Sequence, residues 1–349
     1  MKQITIRTKK GTPVILNRVQ SGGYRNPADA FADDKYEQVA RRLRLMYHNA
    51  SADLQAKQWD WLQRHEKRVE KYRAQVDAGL LTEDDYRAWM RGQLFQQREW
   101  ELKRGQLARA MVDVDKQAMQ IINQGRREVF ADNANFIGFR IDQQTGGAAA
   151  AFGLYDQKAI DRLIRDRPNL LPMPSIDEAK DYAWYNRVIN DAVTQGILQG
   201  EMLDQIVQRI AEEANDKSLY AMRRNARTAY TSAQNAGRME GMRQARDELG
   251  IQVKKRWLCT LDDKTRDAHA LLDGKTAEID EPFDSILGPI MFPGDPDAEP
   301  ANVYNCRCTL EEVPAGHQWK MDRRDNETGE IVGDMTYKQW MEKKAKEAG

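Results

Sequence analysis

The chain contains 349 residues, and its 54 Lys and Arg side chains equal its 54 Asp and Glu side chains in number. This balance argues against a uniformly basic nucleic-acid coat and against an acidic tail, and no apolar run approaches the ~18 residues that a membrane span needs. The three cysteines do not form a disulfide framework, because an odd count leaves one thiol unpaired. We therefore expect a protein that is soluble where it is made, in a reducing compartment, with more than one folded unit.

The first 132 residues predict an arm followed by two long helices. Residues 1–33 are rich in proline and glycine and predict an extended arm. Over 34–132, apolar residues recur at spacings of three and four, which is typical of amphipathic helices. We expect an interruption near Ser51, an end of the first helix at Gly79, and a start of the second helix at Thr82, whose hydroxyl precedes three acidic residues. This region predicts a long helical hairpin or stalk.

A connector and a set of shorter helices follow. Residues 133–152, which include the stretch QQTGGAAA, predict the connector, and 153–250 predict a helical region. We expect its helices at 157–165, 176–193, 201–214 and 218–249. Small residues on one side of the last helix predict that another helix or a sheet approaches it closely. These residues are Ala226, Ala229, Ala233, Ala236 and Gly237.

The last of these helices is basic. The segment from Arg223 to Arg256 contains nine basic and three acidic residues. Closely spaced basic side chains contact phosphate groups and supply the part of nucleic-acid affinity that does not depend on base sequence. We predict possible DNA contacts by Arg223, Arg224, Arg227, Arg238 and Arg243. The alternative is that these arginines pair with acidic residues of the same domain, since the basic and aromatic alternation of a stacking groove is missing.

Residues 251–313 predict a small α+β module, and 314–349 predict a carboxy-terminal tail with a short helix. We expect strands over 251–260, 275–279 and 304–313, and a short helix that begins at Asp262 or Asp263 and ends at Leu272. The predicted fold class is therefore α+β and predominantly α: a long helical hairpin or stalk, a helical region and this small module.

Two sets of polar residues in the module are predicted to share a face. On the short helix, offsets of zero, three, four and seven place four side chains together. These are Asp262, Thr265, Arg266 and His269. On the last strand, Cys306 and Cys308 point to the same face because side chains alternate.

Two chemical interpretations of the thiols and the imidazole stay open. Cys259, His269, Cys306 and Cys308 form an allowed tetrahedral zinc set of three thiolates and one imidazole. The alternative is a core of reduced cysteines with His269 held by Asp262 or by a backbone carbonyl, and with no cofactor. We expect no catalytic residue, because a Cys-His nucleophile would need an orienting group and an oxyanion site that the spacing does not supply.

Several motifs resemble one known family. The sequences TLDDKTRDAHALLDGK, MFPGDP and VYNCRCTL look like the head-morphogenesis domain of tailed bacteriophages, the minor capsid family of the minor head protein of phage SPP1 and the F protein of phage Mu. Upstream, LYDQKAIDRLI, VTQGILQGE and RRNARTAYTSAQNAGRMEGMR are also similar to that family. The resemblance covers roughly residues 80–313, and YKQWMEKK is a looser match.

The resemblance implies a virion component that is made in the bacterial host cytoplasm and lies inside the capsid near the portal. The implied partners are the portal protein, the scaffold or major capsid protein and packaged double-stranded DNA, with no membrane. The family is not an established enzyme, although a related module occurs in bacterial proteins that carry toxin domains. The matching, structural positions are Trp257, Asp262, Thr265, Arg266, His269, Asp273, Gly274, Pro293, Gly294, Asn305, Cys306, Arg307 and Cys308. Cys259 departs from the family, which commonly has a small residue there.

Two other functions compete with this one. The first is a metal-dependent hydrolase or nuclease, with zinc on His269, Cys306 and Cys308 and with Asp262 as the base. The second is a generic helical scaffold adaptor. Bound metal with cleavage activity would favour the hydrolase, and neighbouring genes or portal binding would separate the adaptor from the head protein.

Overall fold

The computed structural model describes residues 2–7, 13–18, 26–95, 98–144, 155, 157–172, 175–199, 201, 203–315 and 323–347. Helices dominate this part of the chain, and they include a short 3-10 helix, Pro168–Leu170. The α-helices are α1 Pro27–Asp77, α2 Glu83–Phe95, α3 Arg98–Gln144, α4 Gln157–Asp166, α5 Glu178–Gln199, α6 Leu203–Leu249, α7 Asp267–Ala270, α8 Pro300–Val303 and α9 Tyr337–Glu347. None of the helices in the described ranges combines the length and the apolar character that crossing a bilayer requires.

The strands of the described residues form three small antiparallel sheets. The strands are β1 Lys2–Arg7, β2 Pro13–Arg18, β3 Val253–Leu258, β4 Thr276–Glu278, β5 Thr309–Pro314, β6 Arg323–Arg324 and β7 Ile331–Gly333. β1 pairs with β2, β6 pairs with β7, and the third sheet has the order β4-β3-β5. The predicted fold class, α+β and predominantly α with a small carboxy-terminal module, is confirmed.

Three helices are longer than the sequence predicts. α1 begins at Pro27, inside the predicted arm, because the side-chain oxygen of Asn26 accepts a backbone N–H of the first turn at 3.0 Å. It continues through Ser51 without the predicted interruption. α3 runs to residue 144, so the first part of the predicted connector is helical, and the rest up to residue 152 lies outside the described residues. α6 is one helix where the sequence predicts two.

Close helix packing explains why glycines occur inside these helices. A Cβ atom at Gly125 of α3 would overlap the hydroxyl group of Tyr230 on α6. At Gly241 of α6, a Cβ atom would lie 2.7 Å from the carbonyl oxygen of Ala134 on α3. A Cβ atom at Gly237, one of the predicted small residues, would overlap the carbonyl oxygen of Phe130 on α3, which confirms the predicted close approach of another helix to this side of α6. These glycines allow backbone contact and do not end the helices.

The chain divides into two compact units, each assembled from separate segments. The first unit comprises Met1–Val39, Ile122–Pro174 and Arg224–Gly349. The second comprises Ala40–Ile121 and Ser175–Arg223. The predicted arm, the end of α3, the end of α6, the α+β module and the tail thus fall in one unit, and most of the predicted hairpin falls in the other.

The apolar core of the first unit joins two helices to the sheet of the module. Ile137 and Ile141 of α3 and Met239 and Met242 of α6 are fully buried in it. The same cluster contains the aromatic ring of Trp257 on β3 and all three cysteines. The sheet is therefore covered by helices on the side where the cysteines lie, which keeps the thiols away from water.

The second unit contains a buried polar network that links four helices. The carboxylate of Asp115 on α3 accepts hydrogen bonds from the hydroxyl groups of Tyr47 on α1 and Tyr185 on α5, the latter at 2.7 Å. The Tyr185 hydroxyl also lies 2.5 Å from that of Ser218 on α6. Burial raises the pKa of Asp115 to about 6, against hydrogen bonds that lower it. A buried carboxyl group satisfied by two tyrosines fixes how these helices face each other.

Replacing Asp115 with Asn is expected to change how stability depends on pH. A raised pKa means that the contribution of Asp115 is fully present below about pH 4 and is lost as the pH rises through about 6. The stability of the wild type relative to Asp115→Asn should therefore fall by about 2 kcal/mol between pH 4 and pH 8. Urea unfolding followed by circular dichroism at several pH values measures this difference.

Asp113→Asn is the matched control, because Asp113 lies on the same helix and is exposed. Its stability should follow that of the wild type at every pH. A pH profile of Asp115→Asn that coincides with both would show that the Asp115 carboxyl group titrates normally in the folded protein.

Candidate functional site

The Cys306-Arg307-Cys308 segment lies in a loop before β5 and is not part of the strand, which corrects the predicted strand over 304–313. Asn305 adopts a left-handed conformation with φ 58°, so the extended strand cannot include it. Both cysteine side chains are nevertheless buried. The hydroxyl group of Thr231 on α6 donates to the carbonyl oxygen of Cys306 at 2.6 Å, and the side-chain amide of Asn235 donates to that of Cys308 at 3.3 Å. Helix α6 therefore positions the loop.

The predicted helix that begins at Asp262 or Asp263 is much shorter in the structure. α7 comprises only Asp267–Ala270, and residues 262–266 form turns. Of the four residues predicted to share one helix face, only His269 therefore belongs to the helix. The reason is local: the side chain of Asp262 accepts the backbone N–H of Lys264 at 3.1 Å, which stabilises a turn in place of a helix.

His269 faces the two cysteines with one ring nitrogen and a pair of oxygens with the other. Its Nε2 lies 3.0 Å from both the backbone and the side-chain oxygen of Asn302. Oxygens of this kind only accept, so Nε2 carries a proton and Nδ1 is the nitrogen that faces the thiols. Nδ1 lies 3.4 Å from Sγ of Cys306 and 3.5 Å from Sγ of Cys308. The imidazole is held by Asn302 and not by Asp262.

The structure brings three of the four predicted metal ligands together. One ligand atom each from His269, Cys306 and Cys308 lies within 4.8 Å of the other two, and all three residues are buried. Cys259 is adjacent, and its thiol donates to the carbonyl oxygen of His269 at 2.7 Å. We call these four residues the His-Cys cluster.

Burial and mutual contacts shift the pKa values of the thiols in opposite directions. Burial raises the pKa of Cys259 and of Cys306 well above the ordinary value. Burial also acts to raise the pKa of Cys308, but contacts with the Cys259 and Cys306 thiols and with the His269 ring outweigh it and lower this pKa well below the ordinary value. Of the three thiols, Cys308 is therefore the one whose pKa is lowered.

Most of the other motif residues hold the loops of the module. The guanidinium group of Arg307 donates two hydrogen bonds to the carboxylate of Asp262, one of them at 3.0 Å. The hydroxyl group of Thr265 donates to the carbonyl oxygen of Thr260 at 2.6 Å. Arg266 donates to backbone oxygens at the two ends of α8. These polar groups are engaged with the protein itself, which is typical of a structural motif.

Asp273 connects the module to the tail. Its carboxylate accepts the backbone N–H groups of Cys259 at 2.7 Å and Tyr337 at 2.6 Å, and it forms an ion pair with Arg323 at 2.8 Å. Gly274, with φ 78°, supplies the turn that follows. The sequence analysis missed Arg323 and Asn302, because neither lies in a periodic pattern and both contact residues distant in the chain. Trp340 of α9 is also buried, so the tail is part of this unit.

A polar cleft of about 610 Å³ lies beside the cluster in the first unit. It is lined by charged side chains that include Asp33, Asp262, Arg227 and Arg307, and by Cys259. His269, Cys306 and Cys308 are not among the described residues that line this cleft. His269, Cys306 and Cys308 are therefore interior to the module, whereas Cys259 borders the cleft.

The structure corrects the predicted set of DNA-contacting arginines. Arg238 is 1% exposed and donates to the carbonyl oxygen of Leu310 and to Asp29, so it cannot face DNA. Arg227 pairs with Asp33 at 3.0 Å, and Arg243 pairs with Asp280 at 3.6 Å. The alternative, pairing within the same domain, thus describes these three arginines.

The two remaining arginines of that set are exposed. Arg223 and Arg224 both lie on the solvent side of α6. The guanidinium group of Arg224 is 5.2 Å from the centre of the Tyr304 ring. These two side chains are the remaining candidates for a contact with phosphate groups.

Replacing Arg323 with Met is expected to lower the free energy of unfolding by about 3–5 kcal/mol, because it leaves the buried Asp273 carboxylate without its cation. Chemical denaturation followed by tryptophan fluorescence measures the loss, and Trp340 reports on the tail. Arg324→Met is the matched control, since Arg324 is the exposed neighbour on the same strand. Equal stabilities of the two variants would show that the ion pair does not hold the tail.

Comparisons with known proteins show similarity to one family over part of the chain. Residues 187–311 match the sequence profile of the family described as Phage Mu protein F like protein. The Minor head protein GP7 of Bacillus phage SPP1 is 28% identical over 232 residues, which cover 66% of this chain and 73% of that protein. The NAD(+)--arginine ADP-ribosyltransferase EFV of Enterococcus faecalis is 36% identical over 157 residues, 44% of this chain.

The ADP-ribosyltransferase is much longer than the region that it shares with this chain, since the chain spans only 30% of its length. No solved structure shows significant similarity to the chain. The profile match contains the end of α5, all of α6 and the whole His-Cys cluster, together with the family-like motifs between residues 193 and 310; LYDQKAIDRLI and YKQWMEKK lie outside it. Residues 187–311 are therefore similar to the Phage Mu protein F like family, and the wider chain is similar to a phage minor head protein.

Proposed function

We propose that the chain is a minor capsid protein of a tailed bacteriophage that lies inside the head near the portal vertex and acts in head assembly and in DNA packaging or delivery. The observation that carries this proposal is the similarity to a minor head protein over 66% of this chain and 73% of that protein. The portal protein and the scaffold or major capsid protein are the partners that the family resemblance implies.

The contacts of the motif residues support an architectural role. A general base needs a carboxylate that can take up a proton, whereas the Asp262 carboxylate is paired with Arg307. His269 and the thiols of Cys306 and Cys308 are buried, and a catalytic zinc site keeps one position open to substrate. We therefore propose that the chain is not an enzyme and that these residues do not act as a hydrolase or nuclease site.

The similarity to an ADP-ribosyltransferase does not change this proposal. The matched region amounts to 30% of that protein, so the activity in its name is not assigned to the shared part. In this chain the motif residues of the family contact each other and the backbone of the module, and they therefore support a fold that proteins of different function can share.

The second unit offers apolar side chains for docking on the portal or on scaffold. Several large apolar residues on its helices and loops are exposed. They are Leu45, Leu80, Leu102, Leu198 and Tyr220. Exposed apolar side chains of this size supply the anchors of protein interfaces. We propose that this unit makes the contacts with the head, while the α+β module supplies a stable support.

The proposed location is tested with procapsids assembled in the presence and in the absence of the portal protein of the same phage. A tagged chain should copurify with particles that contain the portal, in few copies per particle, and be depleted from particles that lack it. Quantitative mass spectrometry of purified particles measures the copy number. Equal incorporation into both kinds of particle would contradict the portal association, and absence from both would contradict the role in the head.

DNA binding is the other part of the proposal that the chain can test directly. The double variant Arg223→Gln/Arg224→Gln should weaken binding to duplex DNA and reduce the salt dependence of the affinity by about two units of slope, because each arginine accounts for about one phosphate contact. Fluorescence anisotropy at several salt concentrations measures both effects.

Arg162→Gln/Arg165→Gln is the matched control, since both arginines are exposed on a different helix, α4. This variant should keep the affinity and the salt slope of the wild type. If both double variants reduce the slope equally, the binding reflects general surface charge and not a contact made by α6.

A further inference from the structure

We propose that the chain binds one zinc ion in its carboxy-terminal module, through Nδ1 of His269 and the thiolates of Cys306, Cys308 and Cys259. This inference rests on the geometry of the His-Cys cluster and does not depend on the proposed role in the phage head. The ion would serve the structure of the module, because its ligands are buried and a closed set of four protein ligands leaves no position for substrate.

The distances between the ligand atoms fit a tetrahedral zinc site. Zinc bonds of about 2.3 Å to sulfur and about 2.0–2.1 Å to nitrogen, at tetrahedral angles, place nitrogen and sulfur ligands about 3.6 Å apart. Nδ1 of His269 lies 3.4 Å from one sulfur and 3.5 Å from the other. A single S–H···N hydrogen bond would account for one of these distances only, since Nδ1 has one lone pair. One ion between the three atoms accounts for both.

The surroundings of the imidazole are those of a metal ligand. A histidine that binds a metal through one nitrogen usually donates the N–H of the other nitrogen to an oxygen, which fixes the tautomer and the ring orientation. Nε2 of His269 does this with the two Asn302 oxygens, both at 3.0 Å. Asn302 is itself fixed, because its side-chain N–H group donates to the carbonyl oxygen of Gly288 at 3.1 Å.

The sulfur of Cys306 also has a supporting contact. The backbone N–H of Cys308 points at it from 3.4 Å. A hydrogen bond of this kind stabilises a thiolate, and hydrogen bonds to ligand sulfurs are part of the environment that tunes metal-thiolate centres. The spacing of two residues therefore lets one cysteine supply both a ligand and a hydrogen bond to the neighbouring ligand.

Cys259 is the residue that completes the set. Its thiol donates to the carbonyl oxygen of His269. Binding of zinc deprotonates a thiol, so this bond is lost and the sulfur becomes free to turn toward the ion. The His269 carbonyl oxygen keeps the backbone N–H of Leu272, at 2.9 Å, as a partner. The Arg323 guanidinium group donates to the backbone oxygen of Cys259, so a positive charge lies beside this ligand.

The zinc ion would connect three segments that are separate in the sequence. Cys259 follows β3, His269 lies on α7, and Cys306 and Cys308 lie in the loop before β5. Binding by such a set stabilises the folded state, because the unfolded chain does not hold the four ligands in place.

The test begins with the full chain purified under reducing conditions. Elemental analysis should find one zinc ion per chain in the wild type and in His48→Gln, a control that removes an exposed histidine on α1. Removing the metal with a chelator should lower the melting temperature, and adding zinc chloride back should restore it. A folded wild type that contains no zinc and whose melting temperature does not respond to added zinc would overturn the proposal.

Cobalt substitution tests the identity of the ligands. The cobalt-loaded wild type should show the intense visible absorption of a tetrahedral site and thiolate-to-metal charge transfer. Cys259→Ser, which keeps the size of the side chain, should weaken zinc affinity by at least about tenfold and reduce the charge-transfer intensity by about one third. Unchanged affinity and spectrum in this variant would overturn the four-ligand site.

Cys306→Ser and Cys308→Ser should lose zinc, but loss of folding could produce the same result. The chelation and add-back measurement on the wild type avoids this ambiguity, because it changes no residue. Circular dichroism of each variant identifies those that remain folded, and a folded Cys308→Ser that still binds one zinc ion with wild-type affinity would overturn the proposal.

Discussion

The architecture of the module depends on hydrogen bonds from one face of α6 to the backbone of residues 306–310. Thr231 donates to the carbonyl oxygen of Cys306, and Arg238 donates to that of Leu310. Asn235 uses both ends of its side chain, since it donates to Cys308 and accepts the backbone N–H of Leu310 at 2.8 Å. A buried backbone group without a partner costs about 1–3 kcal/mol, so this loop can be buried only where the helix supplies these side chains. The motif on α6 and the Cys-Arg-Cys motif are therefore one structural feature.

The same solution recurs in the rest of the module, where side chains of regular elements hold irregular loops. Lys255 of β3 is fully buried, and its ammonium group donates to the carbonyl oxygens of Ile279 at 3.1 Å and Met291 at 2.9 Å. Burial lowers the pKa of this lysine to about 8. Gly294 lets the loop reach α6, because a Cβ atom there would lie 2.7 Å from the backbone nitrogen of Ser232. Close backbone contact and buried donors together replace the hydrogen bonds that a longer sheet would make.

The fold class and most of the His-Cys cluster could be predicted from the sequence, because apolar periodicity and spaced cysteines are local signals. The prediction failed for residues whose partners are distant in the chain. The sequence alone does not show why Gly125 occurs inside α3, because the position of Tyr230 opposite it depends on the packing of another helix. Arg238 adds to a basic stretch of the sequence, although it lies on the buried side of α6, where Asp29 of α1 faces it. Turn formation by Asp262 and the conformation of Asn305 similarly override the periodicity of the residues around them.

Because the motif residues contact other parts of the module, their side chains are not free to bind a partner. The polar groups of Asp262, Asp273 and His269 form hydrogen bonds within the protein. A change at any of these residues therefore affects folding more directly than recognition of a partner. Contacts with other head components must then come from side chains outside the motifs. Within the module, Leu271 and Ile286 are large, apolar and well exposed, and both belong to turns and loops that the buried motif residues hold in place. The buried motif residues thus maintain the fold of the module, and a fold of this kind can be shared by proteins of different function because the exposed side chains are not needed to hold it together.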